Sequence, residues 1–225
     1  MGSGQLGSAF LGDGIDFDGS NDAVDTGNTN NYQTGDFSVS VWIEPDDINT
    51  AGQRIITDDL NTNGWSLSLG DPGPNQLRFY LRDTDLTSLD TGPIISQDTW
   101  YHVVGVYDGA NEERFVYVNG TEEAYEPTDT GTPSIDSGPI RVGNSTGDFF
   151  DGFIDHVRIS SVVRSAAWVS AEHSNQSDPT TFYATSTAEQ QQPNTFTELD
   201  HWVQHFDYTA QEADIWVQLD ELPGG

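Results

Sequence analysis

Oxygen-bearing side chains alternate along a short stretch near the N-terminus: Asp16, Asp18, Ser20 and Asp22. Calcium ions are bound in proteins by hard oxygen ligands, which carboxylates, backbone carbonyls and water supply. A turn at Gly19 can curl these groups around one ion, although the complete EF-hand pattern is absent. Turn capping and a generally acidic surface also account for these residues. A calcium site and a set of structural aspartates therefore both remain open at this point.

Two aromatic residues are candidates for ligand binding, because exposed rings can stack on the rings of sugars. Trp65 follows a polar loop and can therefore lie at the rim of a binding site, and Tyr80 lies in the next expected strand. Core packing is the alternative for these rings. Three Asn-x-Ser/Thr sequons, at Asn119, Asn144 and Asn175, are candidate glycosylation sites if the protein is exported.

The charge of the chain excludes several classes of partner. Its 225 residues include 37 acidic and 7 basic ones, and the formal net charge is −30. All the basic residues are arginine, and cysteine is absent. Such a surface cannot neutralise a nucleic-acid backbone or bind anionic lipid, and no stretch approaches the ~20 apolar residues of a membrane span.

Acidity without lysine resembles the composition of proteins from extreme halophiles. Like charges repel and destabilise the compact state, but at ~1 M salt the Debye length falls to about 3 Å and screens that repulsion. The composition therefore predicts a halophilic origin. Residues 213–223 resemble a strand of a domain that occurs in archaeal and bacterial surface proteins, and this resemblance implies a surface or secreted protein of a halophilic archaeon.

Short runs of alternating apolar and polar residues, separated by turn residues, indicate β-strands. Residues 37–43 alternate clearly, and residues 100–107 are nearly all apolar, which is typical of a central strand. Asn119-Gly120 favours a two-residue hairpin. Ser165 is expected to cap one short helix that begins at residue 166. The pattern predicts an all-β fold with two antiparallel sheets packed as a sandwich.

The last part of the chain differs in composition. Residues 190–193 read as a linker, and residues 199–203 and 213–219 then favour strands because Ile, Trp and Val follow one another. A capping-box pattern at residues 209–212 leaves a helix as the alternative. We expect a sandwich over residues 1–185. Residues 186–225 are expected to form a linker and a tail that pairs with the sandwich, another copy or a missing neighbouring domain.

Five segments resemble laminin-G-like, concanavalin A-like jelly-roll modules, and they occur in the order typical of that family. They are GIDFDGSNDAV at 14–24, FSVSVWIEP at 37–45, TWYHVVGVYDG at 99–109, YVNG at 117–120 and GFIDHVRI at 152–159. The one departure is His156, where the family commonly has Glu. The resemblance implies a jelly roll with a short helix near its C-terminal end and an extra C-terminal segment.

The resemblance also implies a site for calcium. Such sandwiches often bind a structural ion between their first and last strands. By position, the ligands are Asp18, the carbonyls around Gly19 and Ser20, and Asp155, with Asp22 nearby. Among these residues Asp155 is the best candidate, because it is a charged residue inside an otherwise apolar strand.

Catalytic patterns are incomplete. Glucanases with this sandwich carry Glu-x-Asp-x-Glu on one strand, where two carboxylates act as nucleophile and acid. Glu198 and Asp200 begin that pattern, but Trp202 stands in the place of the second Glu. His201 and His205 lack the neighbouring Glu of a zinc protease motif. The sequence therefore predicts a protein that is not an enzyme.

The resemblance implies a noncatalytic carbohydrate- or protein-binding or adhesion module at the cell surface or outside the cell, with a glycan or a surface protein as partner. The first alternative is a structural subunit that assembles with its copies through residues 186–225, since exposed strand edges invite pairing. The second alternative is a polysaccharide-active enzyme, for which paired carboxylates are missing.

Overall fold

A computed structural model describes residues 5–27, 35–59, 63–84, 87–134, 138–182, 201–207 and 212–217. The chain divides into two compact units, Met1–Phe182 and Tyr183–Gly225. In the described part of the chain, no helix is both long and apolar enough to cross a membrane.

The first unit consists mainly of strands, which are numbered here in chain order. They are β1 Gln5–Ala9, β2 Gly12–Asp18, β3 Val24–Asp25, β4 Phe37–Pro45, β5 Gln53–Thr57, β6 Trp65–Leu69, β7 Leu77–Leu81, β8 Ser88–Asp90, β9 Tyr101–Asp108, β10 Glu113–Val118, β11 Thr121–Glu126, β12 Arg141–Val142 and β13 Asp151–Ser160. The first sheet has the order β1-β2-β13-β4-β9-β10-β11, and the second sheet has the order β3-β12-β5-β6-β7-β8. All pairings are antiparallel, so the predicted two-sheet jelly-roll sandwich is confirmed.

The two sheets share one apolar core, which the alternating residues of their strands supply. On β4, Phe37, Val39, Val41 and Ile43 are fully buried. The ring of Phe37 lies 5.4 Å from that of Trp65 on β6, so the sheets meet face to face. Burying one such large side chain contributes about 1.5–3 kcal/mol, which explains why the alternation sets the register.

One arginine is buried inside the sandwich. Arg114 on β10 has no exposed surface and donates from Nε to Asp129 Oδ2 at 2.7 Å. It also donates to the carbonyl of Phe79 on β7 at 3.0 Å, and so links the two sheets. Desolvation by burial lowers the pKa of the Arg114 guanidinium, although the charge of Asp129 opposes this effect.

A helix covers part of the outer side of the first sheet. This helix, α1, spans Ala166–Ser177, and Ser165 caps it by accepting a hydrogen bond from the backbone N–H of Trp168 at 3.3 Å. Val169 anchors α1 against an apolar cluster on β9 and β10. The predicted cap and short helix are therefore confirmed, and a further short helix, α2, follows at Pro179–Phe182.

The second unit contains an antiparallel pair of strands. These are β14 His201–Asp207 and β15 Glu212–Val217, which pair with each other. The choice of strands over a helix in this part of the chain is confirmed.

Candidate functional site

The outer side of the second sheet is polar, and strand pairing explains why. Opposed residues of antiparallel strands point to the same side of a sheet. The sequence of β6 is Trp-Ser-Leu-Ser-Leu, so its apolar side chains enter the core and its serines face outward. Two rows of outward residues follow from the pairing, Arg54-Ser68-Arg78-Asp90 and Thr57-Ser66-Tyr80-Ser88, and Arg141 of β12 lies opposite Thr57. We refer to these residues together as the outer polar face.

Charged side chains on the outer polar face are bound in pairs. Arg78 donates to both carboxylate oxygens of Asp90, at 2.6 and 3.1 Å. That hydrogen bonding raises the pKa of the Arg78 guanidinium, so it stays charged. Arg54 lies 3.5 Å from Asp71 and 3.5 Å from Asp148. The pairs hold extended, flexible side chains in fixed places across the strands.

Several buried polar atoms of this face have no hydrogen-bond partner within the described residues. They are the hydroxyl oxygens of Ser66 and Ser68 and the Nε atoms of Arg54 and Arg141. A buried polar group without a partner costs about 1–3 kcal/mol relative to a paired one. Ser66 and Ser68 have no exposed surface, so a ligand on this face contacts the partly exposed side chains of the two rows, such as Arg78, Tyr80, Ser88 and Asp90.

The two predicted ligand-binding aromatics have different positions. Tyr80 lies on the outer polar face and is partly exposed, with the guanidinium of Arg82 4.9 Å from the centre of its ring. Trp65 is fully buried and packs in the core between the sheets. The expectation that Trp65 lies at a rim is therefore wrong, because β6 directs its odd-numbered residues inward.

The aspartates predicted to bind calcium are not all brought together. The carboxylate of Asp18 is exposed and accepts hydrogen bonds from the backbone N–H groups of Ser20 and Asn21, at 2.9 and 3.2 Å, which caps the turn at Gly19. Asp22 follows this turn in the sequence, and its side chain is buried.

Asp155 lies elsewhere on β13. The residue opposite Asp18 is Asp151, whereas Asp155 pairs with Trp42 of β4, four positions farther along the strand. A strand advances about 3.3 Å per residue, and calcium ligands lie about 2.3–2.6 Å from the ion. Asp18 and Asp155 therefore do not fit a single calcium ion. Within the described residues, no three His, Asp or Glu side chains form a group that could hold a metal.

Acidic residues do gather where β2 and β4 end and β13 begins. Burial raises the pKa of Asp151, and the charges of Asp46, Asp47 and Asp18 raise it further. The pKa of Asp46 is also raised, by burial and then by its acidic neighbours. These carboxylates repel one another. Calcium binding near Asp18, Gly19 and Ser20 stays a prediction.

The sequons occupy three different environments. Asn119 is exposed in the hairpin turn, but its side-chain oxygen accepts a hydrogen bond from the backbone N–H of His102 at 2.9 Å. Asn144 is only 6% exposed, so the expected surface site is wrong there. Asn175 is partly exposed on α1. Glycosylation of Asn119 and Asn175 stays a prediction.

Sequence reasoning overlooked the arginines and serines of the outer polar face. A signal was present, because Ser66, Ser68, Arg78 and Tyr80 occupy the polar positions of two period-2 strands. The sequence alone does not give the pairing between strands, and this pairing is what aligns Arg54 with Ser68 and Arg78 in one row.

Solved structures with a similar fold include parts of an arabinanase, a sialidase and a mosquitocidal protein. Domain 4 of AbnA, an extracellular GH43 arabinanase from Geobacillus stearothermophilus solved in complex with arabinotriose, is 20% identical; the match covers 76% of this chain and 81% of that chain, with a TM-score of 0.58. The CBM40 of the Ruminococcus gnavus IT-sialidase, bound to alpha2,3 sialyllactose, is 15% identical, covering 76% of this chain and 100% of that chain with a TM-score of 0.59.

The binding domain of Paraclostridial Mosquitocidal Protein 1 is 17% identical, with a TM-score of 0.62; the match covers 77% of this chain and 46% of that chain. At these identities the likeness is one of fold. No curated protein sequence matches the chain. Residues 18–170 match the laminin-G-type family model of the concanavalin A-like lectin/glucanase superfamily. Since this range is more than half of the 225 residues, the chain belongs to the concanavalin A-like lectin/glucanase superfamily.

Proposed function

We propose that the chain is a noncatalytic carbohydrate-binding module and that the outer polar face binds the glycan. The observation that carries this proposal is the partly exposed ring of Tyr80 on the same face as the partly exposed ion pair of Arg78 and Asp90. Sugar hydroxyl groups both donate and accept hydrogen bonds, so one ligand can accept from an arginine N–H group and donate to a carboxylate at the same time. The tyrosine ring supplies an apolar surface for a sugar ring.

The state of the carboxylates on this face favours binding over catalysis. A glycosidase needs one carboxyl group that is protonated and a second that acts as nucleophile or base. Asp90 lies 2.6 Å from Arg78 and Asp59 lies 2.9 Å from Arg82, so both carboxylates are already engaged in ion pairs. These pairs suit a surface that recognises a ligand without altering it.

Two structural relatives support the same proposal by analogy. The arabinanase domain is described in complex with arabinotriose, and the sialidase module is described bound to sialyllactose. Both are parts of proteins that act on glycans, and both share this fold. An exported protein of a halophile, with its glycan outside the cell, fits the acidic composition.

A glycan array in ~1 M potassium chloride, where charge repulsion is screened, tests the proposal. We expect the full chain to bind a defined set of glycans and Tyr80→Ala to weaken that binding about tenfold, because ring stacking is lost.

Tyr125→Ala is the matched control. Tyr125 is an exposed tyrosine on β11 of the first sheet, where its ring stacks on Phe115 at 4.8 Å. Its loss should leave glycan affinity unchanged. Binding to no glycan, or an equal loss in both variants, would contradict the proposal.

A further inference from the structure

We propose that the outer polar face selects uncharged sugars over sugars that carry carboxylate or sulfate groups. This inference rests on the proposed function, since it names the ligand class of the same site. The reason lies in how the arginines of this face are used.

Each arginine on or beside the face already has a carboxylate partner. Arg54 pairs with Asp71 and Asp148, Arg78 with Asp90, Arg82 with Asp59 and Arg141 with Asp25. The aspartates in these pairs outnumber the arginines by one. The face therefore carries no excess of positive charge, although it and its border together hold four of the seven basic residues in the chain.

Recognition of an acidic sugar needs a free guanidinium edge. Arginine binds carboxylate or sulfate most strongly through two parallel N–H donors. In Arg78 that edge is taken, because Nε and Nη2 already donate to the two oxygens of Asp90. At this edge an acidic ligand would have to displace Asp90 and leave its carboxylate without a partner. The other edge of Arg78 faces Asp71, whose carboxylate lies 3.9 Å from Nη1.

A neutral sugar meets no such obstacle. Its hydroxyl groups can donate to the outer lone pairs of Asp90 and accept from N–H groups that the ion pairs leave free. The hydroxyl of Ser88, which is partly exposed beside Tyr80, can donate to or accept from a sugar hydroxyl.

The charge of the whole chain acts in the same direction. A net charge of −30 repels acidic polysaccharides at long range in dilute buffer. At ~1 M salt that long-range effect is screened, so selectivity in molar salt depends on the contacts alone. Measurements in molar potassium chloride therefore report on the occupied arginine edges.

The test compares ligands that differ in charge and, apart from that, by one methyl group on each carboxyl. Oligogalacturonides and their methyl esters share rings and linkages, but the esters are uncharged. Binding of the full chain to each acid and its ester, and to neutral and acidic polysaccharides on an array, is measured in molar salt. We expect every bound ligand to be neutral, and an ester to bind at least about tenfold more tightly than its acid where either binds, because a displaced charged hydrogen bond is lost.

Asp90→Asn frees the edge of Arg78 and should reduce this preference for neutral ligands at least threefold, as acid binding improves. Asp13→Asn removes the same charge from an exposed position on β2 of the first sheet and should leave the preference unchanged. A wild-type preference for acidic ligands would overturn the inference and leave the proposed function standing. Binding to no glycan would remove both. An unchanged preference in folded Asp90→Asn would refute the role of the Arg78 edge.

Discussion

The carboxylate of Asp155 holds the turn between β1 and β2 onto the first sheet. Its Oδ2 atom accepts a hydrogen bond from the backbone N–H of Leu11 at 2.8 Å, and Oδ1 accepts one from the backbone N–H of His156 at 2.6 Å. Phe10 of the same turn stacks on Trp42, with ring centres 3.7 Å apart. Asp155 is only 7% exposed, so these donors lie close to the protein interior. A structural role explains its place in an apolar strand.

Replacing Asp155 tests this role against the role of calcium ligand. We expect Asp155→Ala to lower the free energy of unfolding by about 1–3 kcal/mol, since donors lose their acceptor. The loss should be equal in chelator and in calcium, measured by denaturant unfolding. Asp13→Ala, at an exposed position on β2, is the control and should have little effect. If calcium stabilises the wild type and not Asp155→Ala, Asp155 is a metal ligand after all.

At the scale of elements, α1 is docked by polar contacts as well as by Val169. Trp42 donates from its indole to the side chain of Gln176 at 2.6 Å. Glu172 is buried between Arg158 and His102, with His102 Nε2 3.4 Å from its carboxylate. His173 lies over the rings of Trp42 and His102, at 5.7 and 6.1 Å.

The docking of α1 should weaken as pH falls. Burial lowers the pKa of His173, and the nearby His102 lowers it further. Near neutral pH and above, His173 is neutral in both states and the fold keeps its full stability. As pH falls below the unfolded value of 6.5, the unfolded chain takes up the proton first, so stability decreases until the folded pKa is also passed.

Denaturant unfolding across about pH 5 to 8 measures this effect. We expect the free energy of unfolding to decrease toward the acidic end, and His173→Gln to show a smaller decrease because its side chain cannot be protonated. An identical pH profile in the variant would show that His173 does not contribute.

The elements that the sequence predicts well are those with a long period-2 pattern. The nine residues of β4 and the alternating five of β6 bury one side on the core, and both could be located in advance. β3 and β12 have two residues each, too few for any period. The separation of Asp155 from Asp18 could not be foreseen, because the register shift between Asp155 and Arg158 and the contact with Leu11 arise from nonlocal pairing. The outer polar face was missed for the same reason.

At the scale of the whole molecule, nearly all the positive charges are engaged in ion pairs with carboxylates. Apart from Arg164, every arginine in the described residues has a carboxylate partner, and Arg164 lies 4.2 Å from the ring centre of Trp168. The net charge of −30 therefore belongs to acidic side chains with no cation to balance them. Their mutual repulsion destabilises the folded state, and added salt weakens this repulsion by screening it.

We therefore predict that the fold depends on salt. Circular dichroism and thermal unfolding across a potassium chloride series should show a stable sandwich at ~1 M salt and a lower melting temperature in dilute buffer, where the Debye length is long. Neutralising the exposed residues Asp13, Glu122 and Glu123 as Asn and Gln should reduce the salt that the fold requires, because the change removes repulsion without touching the core. Sucrose at matched osmolality is the control, since it does not screen charge. A melting temperature independent of salt would mean that the acidic surface has another cause, and the proposed halophilic origin would lose its physical basis.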